Sequence, residues 1–470
     1  MEIKAIIILS ITVTYFIVMS LIAVGVRKHA NNSEGFTSGG KNFPAFLIAA
    51  LLLSEFIGSS VSIGTAQTGY EVGISAAWNL IALALGFLLL GVFLARKYRE
   101  TGLNTISAIL AQNYGQRTRY ATSILTIFAL STVTVALYAS GGALIAAILK
   151  ISKPMATIIV GVITVFYISI GGMRSIIYTN FFNAVIKYTG MVIAVAFALK
   201  LSGGMSNLQA NLPASMFSWS SIGLPQIFSW MIAGIGSIFA TQYIIQAITA
   251  TEDSKKARRA CYYVSSMMIP FGIMTALVGV CSAYLYPNIR SIDSLPQLVA
   301  NMPTFSAAIV VIGLAGAMLG GISANTMASS TLLLKDFYDP FFNKTQDDKK
   351  SVLFIRFAVV VIGLLPLALA LFADKILLIA FLGKALRATL AILILMCFYA
   401  PKFGTPKGAF YGIIASVIAT VGWFLLGNPF GIDSTYMAFA IPIISMIISH
   451  IFKGNGHESA QQSRLAEIKH

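Results

Sequence analysis

Residues 44–69 read PAFLIAALLLSEFIGSSVSIGTAQTG, and this stretch decides how the chain folds. Its ends suit a membrane-spanning helix, which needs about 20 apolar residues to cross a hydrocarbon layer of ~30 Å. Its middle does not. Ser54-Glu55-Phe56-Ile57-Gly58-Ser59-Ser60-Val61-Ser62-Ile63-Gly64 crowds glycine, serine and a carboxylate into the centre of the span. A charged side chain there costs about 2.5–3.5 kcal/mol on insertion scales, so Glu55 should face a cavity or a partner. Residues 224–249, LPQIFSWMIAGIGSIFATQYIIQAIT, carry a second interruption at Ala233-Gly234-Ile235-Gly236-Ser237. Two interrupted spans, five apart in order, point to a transporter site built on repeats. Unwound backbone at that depth offers carbonyls to a cation and amides to an anion. The competing reading is that Gly58, Gly64, Gly234 and Gly236 only let helices pack closely.

The rest of the chain agrees with a lipid setting. Of 470 residues, 57% are hydrophobic and 10% charged, against about a quarter charged in soluble domains. That excludes a cytosolic enzyme, a secreted domain and a nucleic-acid binder. Cys261, Cys281 and Cys397 are scattered through apolar stretches and form no disulfide framework. His29, His450, His457 and His470 lie in a loop or near the tail, so no metal cluster is expected.

Apolar runs occur at about 5–26, 44–69, 73–95, 120–149, 154–173, 176–201, 224–249, 260–286, 304–334, 351–373, 375–399, 406–427 and 434–453, roughly thirteen spans. The first is expected to be retained, because it lacks a small-residue cleavage site and follows Glu2 and Lys4 rather than a basic cluster. Alternate loops hold roughly 22 basic residues against 6 in the others, which puts the N-terminus outside and the C-terminus in the cytoplasm. The net charge of +16 is therefore topological rather than a nucleic-acid signal. Connections are short, so residues 1–453 read as one transmembrane domain, followed by a polar tail at 454–470.

Three motifs then resemble a known family. Gly171-Gly172-Met173-Arg174-Ser175-Ile176-Ile177-Tyr178-Thr179-Asn180 is similar to the GG-(L/M)-(K/R)-(A/S)-x-x-(Y/W)-T-D signature of the sodium:solute symporters. Gln242-Tyr243-Ile244-Ile245-Gln246, with the basic loop Lys255-Lys256-Ala257-Arg258-Arg259, resembles that family's Q-x-I-x-Q-R region. Ser329-Ser330-Thr331-Leu332-Leu333-Leu334-Lys335-Asp336-Phe337-Tyr338 resembles the end of its ninth helix. The resemblance covers about residues 5–453. It implies an all-α LeuT-type fold, with a first five-helix repeat at 44–201, an inverted copy at 224–399, and peripheral helices at 5–26, 406–427 and 434–453. It also implies a solute near the midplane, between the broken second and seventh helices and the fourth, sixth and eleventh. Candidate solute-binding residues are Glu55, Gly58, Ser59, Ser62, Gly234, Gly236 and Gln242.

The ion sites depart from the family. The resemblance places one sodium between carbonyls of the second helix, here Ser54 and Ile57, and Ala317 plus a hydroxyl pair of the ninth. That pair is Gly320 and Gly321 in this sequence. The aspartate implied for a second sodium is Asn180; Ser323 keeps its hydroxyl, and its neighbour Ala324 has none. Lys187 sits mid-span in the sixth run, where the family has an apolar residue. Seven residues separate it from Asn180, so both lie on nearly one helix face. An ammonium there supplies the charge of a sodium ion; alternatively, Lys187 snorkels to water. Lys384 and Arg387, three apart in the eleventh run, also share a face. They either line a watery vestibule or contact an anionic solute.

The expected function is secondary active transport of a small organic solute across the plasma membrane. Sodium is the coupling ion the resemblance implies. The departures leave proton coupling or uncoupled transport open, with Glu55 and Lys187 as the titratable pair. The alternative is a transporter-like sensor or subunit that binds solute without moving it. No HExxH or GxSxG appears in any span, so an enzyme is not expected, nor is an enzyme cofactor. Expected partners are the solute and the bilayer; protein partners stay open.

Overall fold

The computed structural model describes residues 3–26, 43–149, 151–345, 347–371 and 376–452. The basic loop before Phe43 and the tail at 454–470 lie outside the described residues. Among the described residues, everything regular is helix. The main elements are α1 (Ile3–Val26), α2 (Ala45–Phe56), α3 (Ser59–Val72), α4 (Trp78–Leu89), α5 (Ala95–Thr101), α6 (Ile106–Leu149), α7 (Lys153–Leu201), α8 (Leu224–Phe239), α9 (Gln242–Thr249), α10 (Ser254–Leu285), α11 (Thr304–Leu332), α12 (Asp348–Ala370), α13 (Ile376–Tyr399), α14 (Pro406–Leu425) and α15 (Thr435–Ile451).

Among the described residues, eight helices are long and apolar enough to cross a membrane, or nine if the bent pair α8–α9 counts as one span. This makes a multi-pass membrane protein. The count differs from the thirteen runs read from apolarity because five of them fall short within the described residues: Ile6–Ile22, Ala45–Phe56, Lys153–Val162 and Thr435–Ile451 are shorter apolar helices, and the run at 224–249 is bent. The span at 44–69 is split into α2 and α3, each too short to cross alone. Met173–Leu201 forms a span of its own, and Ser59–Thr101 counts as one stretch.

The centre is built from α2, α3, α8 and α9, with α11 buried along nearly its whole length. α11 packs on α6 and α7, α13 on α6, and α8 on α4 and α13. α1 lies against α7 and α11, while α14 and α15 pack on each other and on α13. Phe43 donates its backbone N–H to the Ala250 carbonyl at 3.2 Å, so the start of α2 is pinned to the end of α9. The hairpin after α3 turns at Gly73, where φ is +83° and a Cβ would stand 2.0 Å from the Met216 carbonyl oxygen. Only glycine fits both the left-handed backbone and that approach.

Candidate functional site

Both central helices break, and each break frees a carbonyl that a side chain takes up. α2 stops at Phe56; Ile57 leaves the helical region and Gly58 is extended before α3 begins. In an unbroken helix the Ser54 carbonyl would accept from the Gly58 N–H. Here it accepts from the Lys187 ammonium at 2.5 Å. The second break differs from expectation in position. It falls at Ala240-Thr241, with a bend of 47°, rather than at Gly234–Gly236. There Tyr98 donates to the Phe239 carbonyl at 2.5 Å, and Thr241 donates its hydroxyl to the Ser237 carbonyl while accepting from Arg387 Nη1 at 2.6 Å.

The glycines inside α8 have another task. A Cβ on Gly234 would stand 3.0 Å from Ala82, and one on Gly236 would stand 2.6 Å from Ala388. They draw α8 against α4 and α13, which is the packing role small residues have in membranes. Gln242 is likewise engaged with backbone. Its Nε2 donates to the Asn104 carbonyl at 2.7 Å and its Oε1 accepts from the Ile106 N–H at 2.9 Å, anchoring the start of α6.

The ion-site positions do come together, at the contact of α2, α7 and α11. Gly313, Gly316 and Gly320 follow a 3–4 spacing along one face of α11. Cβ atoms on them would stand 2.8 Å from the Lys187 Cα, 2.6 Å from Asn183 Oδ1 and 2.2 Å from Asn180 Oδ1. Gly320 is thus the space that admits the Asn180 side chain. A Cβ on Gly321 would meet Leu137 at 2.7 Å. Asn180 Nδ2 donates to the Ile176 carbonyl at 2.9 Å, while Asn180 Oδ1 and Ser54 Oγ have no hydrogen-bond partner. Ala317 is buried on the same helix, and Ser323 turns its hydroxyl back to the Leu319 carbonyl at 2.6 Å. Across the α2–α3 break, the Ser59 and Ser140 hydroxyls pair at 2.9 Å and Ser62 Oγ is unpartnered.

Four ionisable groups surround the breaks. Lys187 is 2% exposed, Arg387 2%, Lys384 6% and Glu55 7%. Glu55 feels the charges of both Lys187 and Arg387, and Lys384 feels that of Arg387. Lys187 bonds the backbone rather than Glu55, whose Oε2 has no hydrogen-bond partner. Lys384 reaches Asn79 Oδ1 at 3.4 Å, and Asn79 Nδ2 donates to Thr65 Oγ1 at 3.1 Å. Sequence reasoning missed Thr241, Tyr98 and Asn79. A threonine or tyrosine in an apolar run carries no sign that a carbonyl will be freed beside it.

A second polar knot sits at the far end of α11. Asp336 is fully buried; it accepts from Arg119 Nε at 2.7 Å and from the hydroxyls of Ser107 and Ser123. Arg119 Nη2 also reaches the Lys335 carbonyl at 3.1 Å.

Comparison with known proteins agrees with this architecture. The structure superposes on a sodium-coupled sialic acid symporter in a substrate-bound, outward-open state with a TM-score of 0.81, at 16% identity, covering 95% of this chain and 98% of that one. It also superposes on Mhp1, a nucleobase-cation-symport-1 family transporter, with a TM-score of 0.58 at 14% identity, covering 91% and 98%. These likenesses show the fold, that of LeuT-type transporters. In sequence the chain is 22% identical to the high-affinity proline transporter PutP of Bacillus subtilis, over 92% of this chain and 95% of the relative. It is 21% identical to the sodium/glucose cotransporter of Vibrio parahaemolyticus, over 89% and 82%. The profile of the sodium:solute symporter family matches residues 36–416. These relatives are transporters, not enzymes, and the chain belongs to the sodium:solute symporter family.

Proposed function

We propose that this solute transporter moves a small organic molecule by secondary active transport with little dependence on sodium. It would sit in the plasma membrane with its N-terminus outside and its C-terminus in the cytoplasm. Residues 44–201 and 224–399 would act as the two inverted repeats. The observation that carries the reading is the Lys187 ammonium on the Ser54 carbonyl, at the break where the family resemblance puts a sodium ion. An ammonium supplies the same unit charge to the same α2 carbonyl, reaching it from α7 where the resemblance has sodium join α2 to the ninth helix, α11. Sodium is bound by several hard oxygens; here two hydroxyl positions are Gly320 and Gly321, and the carboxylate position is Asn180.

A tethered cation cannot depart as sodium does. To release the break, Lys187 must shed its proton or swing aside on its four-carbon stem. Changing the two-state ratio from 1:99 to 99:1 needs about 5.5 kcal/mol of differential stabilisation, so the bond must be gained and lost almost completely. Glu55, beside it, sets how strongly the ammonium is held. Lys187→Met is therefore expected to fold and bind solute but to lose net uptake.

Uptake into proteoliposomes tests the reading. With sodium replaced by choline, uptake by the wild type should persist, and it should respond to pH between about 6 and 9. Uptake abolished in choline and saturable by sodium would overturn sodium independence. Binding with no uptake in any condition would favour a sensor.

A further inference from the structure

The charge around the two breaks does not balance. Among the described residues, three basic side chains, Lys187, Lys384 and Arg387, share the region with one acidic side chain, Glu55. All four are more than nine-tenths buried. The other deeply buried carboxylate among the described residues, Asp336, is committed to Arg119. Unpaired charge inside a membrane protein is expensive, so it marks a pathway or a ligand site.

The cations also have donors to spare. Arg387 donates from Nε to the Gly383 carbonyl at 3.0 Å and from Nη1 to Thr241, using two of the five N–H groups in its fork. Lys384 reaches only the long contact with Asn79, and its ammonium lies 4.6 Å above the Phe381 ring. An ammonium carries three donors. Phe381 stacks on Trp230 at 5.8 Å with 11° between the ring planes. Lys384, one helical turn from Arg387, thus adjoins a flat aromatic wall. Guanidinium and ammonium together suit a carboxylate, whose two oxygens accept from both.

We infer that the solute is a small organic carboxylate, its oxygens held by Arg387 and Lys384 and its apolar body resting on the Trp230–Phe381 stack. The inference rests on the transporter reading above and narrows its solute. The bound anion supplies one of the two negative charges that the cluster lacks. Glu55 then answers Lys187, and the incoming carboxylate answers the α13 pair. A neutral amide of the same shape brings no charge and sets an NH2 group against cationic donors. An amine adds a fourth cation.

The test uses the purified full chain and a matched set: aliphatic and aromatic monocarboxylates from acetate to phenylacetate, their primary amides, and the corresponding amines. Thermal stabilisation reads binding, and proteoliposomes read uptake. At least one carboxylate should stabilise the wild type while its amide and amine do not. Lys384→Met should weaken that carboxylate at least tenfold, equivalent to about 1.4 kcal/mol, and Lys384→Arg should restore most of it. Arg387→Gln should weaken it further; because Arg387 also holds Thr241, the Lys384 pair of variants decides the matter if Arg387→Gln does not fold. The inference is overturned if no carboxylate in the set stabilises the protein, if amides or amines bind as well as their acids, or if Lys384→Met leaves carboxylate affinity unchanged. Carboxylate binding without uptake would sink the transporter reading and leave the anion site standing. Uptake of amides or amines alone would do the reverse.

Discussion

Asp336 and Glu55 are both buried carboxylates, and the fold treats them in opposite ways. Asp336 receives a guanidinium and two hydroxyls, so both of its oxygens are occupied. Glu55 has an oxygen with no hydrogen bond, and two cations nearby that bond other groups. A carboxylate with its acceptors filled ties elements together; here it joins α6 to the end of α11. A carboxylate left short of partners adds little to stability and keeps its charge available to a ligand or a moving cation. Buried charge by itself is therefore a poor sign of function, and incomplete satisfaction is the better one.

The largest effect should come from breaking the satisfied knot. Asp336→Asn leaves Arg119 without its counter-charge and sets an amide NH2 against donor hydroxyls. Removing one partner of a buried pair costs on the order of 3–5 kcal/mol, and the partial exposure of Arg119 argues for the lower end, about 3 kcal/mol. A fall of several degrees in the temperature at which the purified protein loses its fold would bear this out. An unchanged transition would show that the knot is not structural.

A middle effect is expected at Gly320→Ala. Its Cβ would enter the space of Asn180 Oδ1, and overpacking of this kind costs about 1–3 kcal/mol. Pairing it with Asn180→Ala should recover most of the loss, because the two substitutions share one space. Strict additivity in that double-mutant cycle would contradict the close contact of α7 and α11. The same geometry bears on restoring sodium binding. Adding serine at Gly320 and Gly321 would first strike Asn180 and Leu137.

The smallest effect on stability belongs to Glu55→Gln, expected to change it by less than about 1 kcal/mol, since the amide removes a charge the bilayer disfavours. Solute binding or its pH response should nonetheless be lost. If Glu55→Gln unfolds the protein as readily as Asp336→Asn, the contrast between the two carboxylates fails.

Much of the architecture was legible in the chain. Apolar runs long enough to cross lipid, the basic bias of alternate loops and the glycine–serine crowding at Ser54–Gly64 are local properties, and they led to a polytopic helical transporter. The break after Phe56 falls inside the stretch that predicts it. The break at Ala240-Thr241 does not, because Gly234 and Gly236 look like breakers in sequence and act as packing surfaces in space. A glycine's role depends on what faces it, and no run of neighbours in the chain records that.

Beside the family resemblance, which marks Asn180 for an aspartate and Gly320 and Gly321 for hydroxyls, the sequence alone marked Glu55 and Lys187 as unusual at mid-span. It could place Asn180 and Lys187 on one helix face, because helical periodicity is a property of the chain. Only the tertiary structure decided what these residues meet. The Ser54 carbonyl comes to Lys187 across 133 positions of sequence, and Thr241 comes to Arg387 across 146. Hydrogen bonds act over about 3 Å, so bonding partners far apart in sequence are chosen by helix packing, which no local pattern encodes. Gly320 is the plainest case. In the sequence it is a missing ligand, and in the fold it is the room that lets Asn180 lie against α11.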